Sequence, residues 1–144
     1  MPRVMIVEDD LLISDLIEDV LSAAGYEISG VARTAAEAIA LGERKKPDLA
    51  VIDVRLADGS DGTTVAARLM GQFRLGVLYA TGNPAHVLAS RAPGHALITK
   101  PFRLSEIVRA LKVIEQVLAT GAPPQPLPEG LVLLQPQPMT NAGL

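Results

Sequence analysis

Short apolar runs alternate with longer segments of helical period along the first 120 residues, and this alternation limits the fold more than any other feature. The run at 3–7 is continuous and rich in β-branched residues, as expected for a strand buried in a parallel sheet. From Asp10 apolar residues recur at spacings of three and four, which predicts a helix that ends before Gly25. Further strands are predicted at 26–32, 49–53, 76–81 and 96–98, and further helices at 34–46, 63–73, 84–90 and 104–119.

A βα unit repeated five times predicts an α/β domain. Since crossovers between parallel strands are right-handed, such a chain forms one sheet with helices on both faces. We expect a flavodoxin-like, doubly wound (βα)5 fold, with a five-stranded parallel sheet in the order 2-1-3-4-5. Polar residues at the carboxyl ends of the strands then gather in one crevice, which is where the function is expected.

Composition excludes several classes of function. The chain has no cysteine, which excludes disulfide scaffolds, thiolate metal sites and cysteine nucleophiles. Its net charge of −3 and its lack of a Lys/Arg run longer than three residues argue against a nucleic-acid or membrane-surface partner. Neither a signal peptide nor an apolar stretch long enough to span a bilayer is present in the sequence, so we expect a cytoplasmic protein.

Proline marks a boundary near residue 120. Many of the prolines lie beyond it, where they prevent a continuous helix or a central strand. We therefore expect a domain at 1–120 and a Pro-rich C-terminal extension at 121–144. The extension contains the apolar run Leu131-Val132-Leu133-Leu134, which could pair with a sheet edge or fill a groove. Three interpretations stay open: docking on its own domain, exchange with a second copy in a homodimer, or a linker remnant.

Three carboxylates follow the first and third predicted strands. Glu8 and Asp9 end the first strand and Asp53 ends the third, and the predicted order makes these strands neighbours about 5 Å apart. Two carboxylates about 4 Å apart repel by roughly 4 kcal/mol at an effective dielectric constant of 20, so three of them need a cation. An all-oxygen set without His or Cys is what Mg²⁺ prefers. Asp10 is expected to start the helix instead, since acidic residues suit a helix N-terminus.

The same strand ends supply groups for phosphoryl chemistry. Asp53 can attack phosphorus as a carboxylate nucleophile and form an aspartyl phosphate. Thr81 ends the fourth strand and can donate its hydroxyl to a phosphoryl oxygen, and Lys100 follows the fifth strand with a second positive charge. The sequence therefore predicts a phosphorylatable aspartate. His86 and His95 have no partners at metal-ligand spacing and are expected to be surface or loop residues.

At these residues the sequence resembles the response regulator receiver family, the phosphoacceptor half of bacterial two-component signalling. The resemblance covers about residues 3–119. It rests on four motifs in family order, namely Val7-Glu8-Asp9-Asp10, Val51-Ile52-Asp53-Val54-Arg55-Leu56, Ala80-Thr81-Gly82 and Thr99-Lys100-Pro101-Phe102. Any one of these motifs is weak support, but four of them at the right strand ends are strong support.

The resemblance implies a role for each site residue. Glu8 and Asp9 correspond to the acidic pair, Asp53 to the phosphorylated residue, Thr81 to the switch hydroxyl and Lys100 to the phosphate-contacting lysine. The backbone carbonyl of Arg55 is implied as a further metal ligand, and Pro101 is implied to follow a cis peptide bond. The resemblance also implies Mg²⁺ as cofactor and a sensor histidine kinase or histidine phosphotransfer protein as phosphodonor.

Two departures from the family pattern concern the switch. Leu97 stands three residues before the lysine, where the family commonly has an aromatic ring that turns inward on phosphorylation. The stretch from Tyr79 to Asn83 resembles the Phe-Ala-Thr-Gly motif of a subgroup of stand-alone receivers, whose partners are often HWE-class kinases. In that subgroup the region after the fourth strand is mobile, and Gly82 and Pro84 fit a weakened fourth helix here.

The leading hypothesis is a single-domain response regulator that takes a phosphoryl group on Asp53 and signals by contact with a downstream protein effector or by phosphorelay. It is a phosphoacceptor rather than an enzyme, catalysing only its own phosphorylation and dephosphorylation. The alternative is a pseudo-receiver that acts as an interaction or dimerisation module without phosphotransfer. An Asp-nucleophile phosphohydrolase is disfavoured, because it would need a second aspartate at position 55 and a cap insertion.

Overall fold

Five strands and five helices alternate in the computed structural model, which describes residues 1–134, and a short sixth strand follows them. The strands are β1 (Arg3–Val7), β2 (Glu27–Ala32), β3 (Leu49–Ile52), β4 (Gly76–Thr81), β5 (Ala96–Thr99) and β6 (Val132–Leu133). The helices are α1 (Leu11–Ala23), α2 (Ala35–Lys45), α3 (Gly62–Met70), α4 (Pro84–Ser90) and α5 (Leu104–Thr120). Their bounds differ from the predicted ones by no more than a few residues.

One sheet contains all six strands, in the order β2-β1-β3-β4-β5-β6. The first five strands are parallel, which confirms the flavodoxin-like α/β fold and the predicted order 2-1-3-4-5. The sixth strand pairs antiparallel with β5 and extends the sheet by one short edge strand. The sheet therefore has one strand more than the five predicted, and this strand is formed by the apolar run of the extension.

The core consists of two layers, one on each face of the sheet. Because side chains alternate along a strand, Met5 and Val7 of β1 face the layer formed with α2, α3 and α4, whereas Val4 and Ile6 face the layer formed with α1 and α5. All four side chains are fully buried. The parallel strands thus read as continuous apolar runs because both of their faces are covered.

Polar caps fix where the helices begin at the carboxyl edge of the sheet. The Asp10 carboxylate accepts the backbone N–H groups of Leu12 and Ile13 at 3.0 and 3.2 Å, which confirms its predicted role at the start of α1. The Thr34 hydroxyl likewise accepts the N–H of Glu37 at the start of α2. These caps hold the loops that carry the site residues against the sheet.

Helix α5 ends at Thr120 and is capped by Gly121, which has a φ of +83°. Residues 135–144, the remainder of the predicted extension, lie outside the described residues. Within 1–134, none of the helices is both long enough and apolar enough to cross a membrane.

Candidate functional site

Two neighbouring strands bring the three predicted carboxylates together. Val7 at the end of β1 is in register with Ile52 at the end of β3, and the Asp53 N–H donates to the Val7 carbonyl at 2.8 Å. Glu8, Asp9 and Asp53 each present a carboxylate oxygen, and these oxygens all lie within 4.8 Å of one another. The loop that follows β1 and the residue that follows β3 therefore form one acidic cluster.

Lys100 joins two of these carboxylates. Its Nζ atom lies 2.9 Å from Glu8 Oε1 and 3.0 Å from Asp53 Oδ2. The Glu8 and Asp53 side chains are only 3% and 10% exposed, so both ion pairs are largely shielded from water. The backbone N–H of Lys100 donates to the Thr81 carbonyl at 2.8 Å, which ties the lysine to the end of β4. The peptide bond between Lys100 and Pro101 is cis.

Burial dominates the electrostatics of Glu8. It raises the pKa of this carboxyl from 4.5 to about 7, even though the hydrogen bonds from Lys100 and the Asp10 N–H lower it. The charge of Asp53 adds to the upward shift. For Lys100, burial lowers the pKa, but the hydrogen bonds to Glu8 and Asp53 outweigh burial and the pKa is raised. The lysine therefore stays protonated and supplies the positive charge between the carboxylates.

The acidic cluster suits a magnesium ion. Its three donor groups are all carboxylates and their oxygens are close enough to share one ion. Arg55, whose carbonyl the resemblance adds to this set, lies just after Asp53 and forms an isolated antiparallel bridge with Asp61, while its side chain is exposed. The donor set therefore fits Mg²⁺, the cofactor implied by the receiver resemblance.

A cavity of about 430 Å³ opens beside the acidic cluster. Its lining residues are Asp53, Arg55, Thr81, Gly82, Asn83 and Lys100. The Thr81 hydroxyl is buried and accepts the backbone N–H of Asn83 at 2.9 Å. A hydroxyl that accepts one hydrogen bond keeps its own hydrogen for donation to another group. The cavity thus offers one carboxylate, one ammonium and one hydroxyl to a common space.

Leu97 is not part of this cavity. It is fully buried in β5, in the core layer that also contains Tyr79 and Val87. The aromatic ring in this region belongs to Tyr79 of β4, whose hydroxyl donates to the Pro93 carbonyl at 2.6 Å. The position that the family commonly gives to an aromatic switch is therefore a packed aliphatic side chain in this protein.

Gly62, at the start of α3, positions Asp53, and it belongs to none of the sequence motifs described above. A Cβ atom at this position would lie 2.0 Å from the Asp53 carbonyl oxygen and 2.7 Å from the Ile52 side chain. The Gly62 N–H also donates to the Val54 carbonyl at 2.7 Å. Only glycine allows the start of α3 to approach the end of β3 this closely.

Both histidines have partners that the sequence did not indicate. His86 Nε2 lies 2.7 Å from Asp61 Oδ2, which connects the start of α4 to the start of α3 beside the cavity. Burial raises the pKa of Asp61, but hydrogen bonds from Thr63 and His86 outweigh it and the pKa is lowered. His95, expected at the surface or in a loop, lies in the loop before β5, where it is half-buried and its Nδ1 accepts the Val77 N–H at 3.1 Å.

Comparison with known proteins agrees with the fold. Residues 4–112 match the family described as the response regulator receiver domain. Over 117 residues the chain is 30% identical to the chemotaxis protein CheY of Thermotoga maritima, with 79% of this chain and 98% of CheY covered. Over 107 residues it is 36% identical to the phyllosphere-induced regulator PhyR of Methylorubrum extorquens, with 73% of this chain covered. This chain spans only 40% of the length of that PhyR.

Solved structures give the same result. The solution NMR structure of the PhyR response regulator REC domain from Erythrobacter litoralis superposes with a TM-score of 0.72 at 35% identity, covering 83% of this chain and 91% of that one. A CheY-like receiver domain protein from Methanospirillum hungatei superposes with a TM-score of 0.70 at 26% identity, covering 83% and 98% of the two chains. Sequence, topology and the arrangement of the strand ends thus agree, and the chain belongs to the response regulator receiver domain family.

Proposed function

We propose that this receiver accepts a phosphoryl group on Asp53 from a phosphohistidine of a sensor histidine kinase or a histidine phosphotransfer protein. One observation carries the proposal: the Lys100 ammonium touches both Asp53 and Glu8, while the oxygens of Glu8, Asp9 and Asp53 converge within 4.8 Å. A carboxylate nucleophile, a fixed positive charge and a divalent-cation site are thereby combined at the edge of one cavity.

The transfer is a displacement at phosphorus. An Asp53 carboxylate oxygen forms the new P–O bond, the P–N bond of the phosphohistidine breaks, and the leaving imidazole takes the electron pair. The Lys100 ammonium can donate a hydrogen bond to an oxygen of the incoming phosphoryl group, because it already lies 3.0 Å from the Asp53 oxygen. The Thr81 hydroxyl can donate to a second phosphoryl oxygen from the neighbouring strand. Hydrolysis by water then returns the Asp53 carboxylate and inorganic phosphate.

Glu8, Asp9 and Asp53 would hold Mg²⁺, with the Arg55 carbonyl as a further ligand by family resemblance. When bound, the ion neutralises charge on the phosphoryl oxygens and so favours their approach to an acidic site. The protein's own contribution is to hold the three carboxylates together at the ends of two paired strands. Glu8 is buried and its carboxylate accepts hydrogen bonds from Lys100 Nζ and the Asp10 N–H, whereas Asp9 is half-buried.

An apolar surface beside the site is suited to a protein phosphodonor. On α1, Leu11, Leu12 and Leu16 are 58%, 68% and 42% exposed, which is unusual for three leucines on one helix. Leu16 also lines a groove of about 430 Å³ that continues to Phe102 in the loop after β5. A kinase or phosphotransfer domain docked here would reach the mouth of the site over Lys100.

Mass spectrometry of the intact protein tests the proposal. Incubation with a small phosphodonor and Mg²⁺ should add one phosphoryl group to wild type and none to Asp53→Ala, and chelation of the metal should abolish the addition. Asp58→Ala is a matched control, because Asp58 is an exposed carboxylate of the loop after β3 and should leave labelling unchanged. No addition to wild type, or equal addition to Asp53→Ala, refutes phosphorylation of Asp53.

A second comparison separates the phosphodonor surface from the chemistry. Leu12→Asp should reduce labelling by a phosphorylated histidine kinase of the HWE class but leave labelling by the small phosphodonor intact. The alternative function, a pseudo-receiver that only makes protein contacts, predicts no labelling from either donor. Full kinase labelling of Leu12→Asp would contradict the assigned docking surface without affecting the role of Asp53.

A further inference from the structure

The C-terminal extension covers the edge of β5. Without β6, β5 would be the last strand of the sheet and would expose its unpaired backbone groups. In the structure Leu97 is in register with Val132 and Ala96 with Leu133, and the Leu134 N–H donates to the His95 carbonyl at 3.0 Å. The edge of β5 is therefore a surface on which an extended peptide is seated by main-chain pairing.

Side chains of the segment Leu131–Leu134 pack against the domain on both faces of the sheet. Leu131 and Leu133 pack against the core layer that contains α5, whereas Leu134 packs against the opposite layer. Gly94 makes room for this contact, because a Cβ atom there would lie 3.1 Å from Leu134 Cδ1 and 2.5 Å from the ring of Tyr79. The surface thus selects a sequence pattern of apolar side chains as well as an extended backbone.

Several features make the segment displaceable. The strand itself has only two residues, and Val132 is 43% exposed. The segment is entered through Gly130, whose φ of +82° is strained for any residue with a Cβ atom. The linker at 121–130 is rich in proline, bends at 121–122 and 125–126 and turns at 129–130, so it joins α5 to the segment without a regular helix or strand. Docking thus rests on few contacts.

We propose that the β5 edge is a binding site for an extended apolar strand of a partner protein, and that Leu131–Leu134 is its tethered competitor. The partner strand would run antiparallel to β5, place two leucine-sized side chains towards α5 and one towards α4, and carry no proline in the paired positions. The resident segment defines this chemistry, because it occupies the site with that pattern. Binding at the edge is independent of phosphoryl transfer to Asp53.

The tether explains why the resident segment competes. A segment held on a short linker has an effective concentration of about a millimolar, so a free strand of equal intrinsic affinity is excluded until the resident segment detaches. Since the segment already pairs with β5 of its own chain, exchange between two copies would form no additional contacts and would lose the translational and rotational freedom of one molecule. The occupant that replaces the segment is therefore a partner strand rather than a second copy.

Binding of a labelled peptide to the full-length chain tests the proposal. The probe has the sequence of residues 128–135, and its binding is measured by fluorescence anisotropy. We expect at least tenfold tighter binding to a released double variant, Leu131→Asp with Leu133→Asp, than to wild type. Gly130→Ala is a second released variant that leaves the core-facing side chains intact and should also bind more tightly. A probe with proline in place of its valine should bind neither wild type nor the two released variants.

Gly25→Ala is the matched control, because Gly25 has a φ of +96° and open space around it but lies far from β5 in the sequence and in the sheet. It introduces the same kind of backbone strain and should bind the probe no better than wild type. Absence of probe binding to both released variants, or equal binding to wild type and to them, overturns the proposal. A wild-type dimer in analytical ultracentrifugation that Leu133→Asp dissociates also overturns it, because the segment would then bind a second copy.

Discussion

Substitution of Glu8 by glutamine should change how the stability of the metal-free protein depends on pH. Burial raises the pKa of this carboxyl from 4.5 to about 7, so the folded protein holds a proton between these pH values that the unfolded chain has lost. The proton stabilises the folded state at the acidic end of this window. The contribution of the Glu8 carboxyl to the free energy of unfolding is therefore lost as pH rises from 4.5 through about 7.

The magnitude follows from the two pKa values. The pKa of Glu8 is 4.5 in the unfolded chain and about 7 in the folded protein. As pH rises from about 5.5 to about 7.5, this group should therefore lower the free energy of unfolding by about 2 kcal/mol. His95 acts in the opposite direction. Burial and the charge of Arg74 lower its pKa, so its contribution to stability rises with pH through about 6.5. Only the difference between wild type and Glu8→Gln isolates the carboxyl.

Urea unfolding in the presence of a chelator at both pH values measures this difference. The loss of stability on going to the higher pH should be about 2 kcal/mol larger in wild type than in Glu8→Gln. Asp15→Asn, on the exposed face of α1, should keep the pH dependence of wild type. If Glu8→Gln and wild type lose the same amount, burial does not control the protonation of Glu8 and the reasoning is wrong.

Three further predictions follow from single contacts. Asp9→Asn should weaken Mg²⁺ binding at least tenfold, about 1.4 kcal/mol, and unchanged binding in a calorimetric titration would contradict the metal assignment. Gly62→Ala should destabilise the fold by about 2 kcal/mol, because its Cβ would meet a carbonyl oxygen at 2.0 Å, whereas Gly71→Ala makes only ordinary contacts and should be neutral by thermal unfolding. Tyr79→Phe should cost about 1 kcal/mol in urea unfolding through loss of the hydroxyl bond to Pro93, and equal stability would show that the bond is compensated by water.

Most of the fold could be predicted because each of the first ten elements carries its own local pattern. The apolar run at 3–7 and the helical spacing after Asp10 need no knowledge of the rest of the chain. The acidic cluster was predictable for a related reason. Once the strand order is known, Glu8 and Asp53 must meet, since the carboxyl ends of neighbouring parallel strands lie at one edge.

The features that sequence reasoning missed depend on distances between elements that no local pattern encodes. Asp61 and His86 lie 25 residues apart and meet only because α3 and α4 begin at the same edge of the sheet. The close approach of Gly62 to Asp53 is likewise a property of the folded backbone. The apolar run at 131–134 suggested a sheet edge, but its partner strand depends on the course of the linker along α5.

The fifth strand connects the two parts of this protein that bear on signalling. At one end of β5 lies Lys100, which contacts Asp53, and along its edge Leu97 is paired with Val132 of the extension. Because Leu97 is a buried aliphatic residue, no aromatic ring at this position can turn inward. Lys100 reaches the acidic cluster with its side chain, whereas β5 pairs with β6 through its backbone, so the two contacts use different groups of the chain. Occupancy of the β5 edge and the chemistry at Asp53 are therefore separate properties, and each is measured on its own.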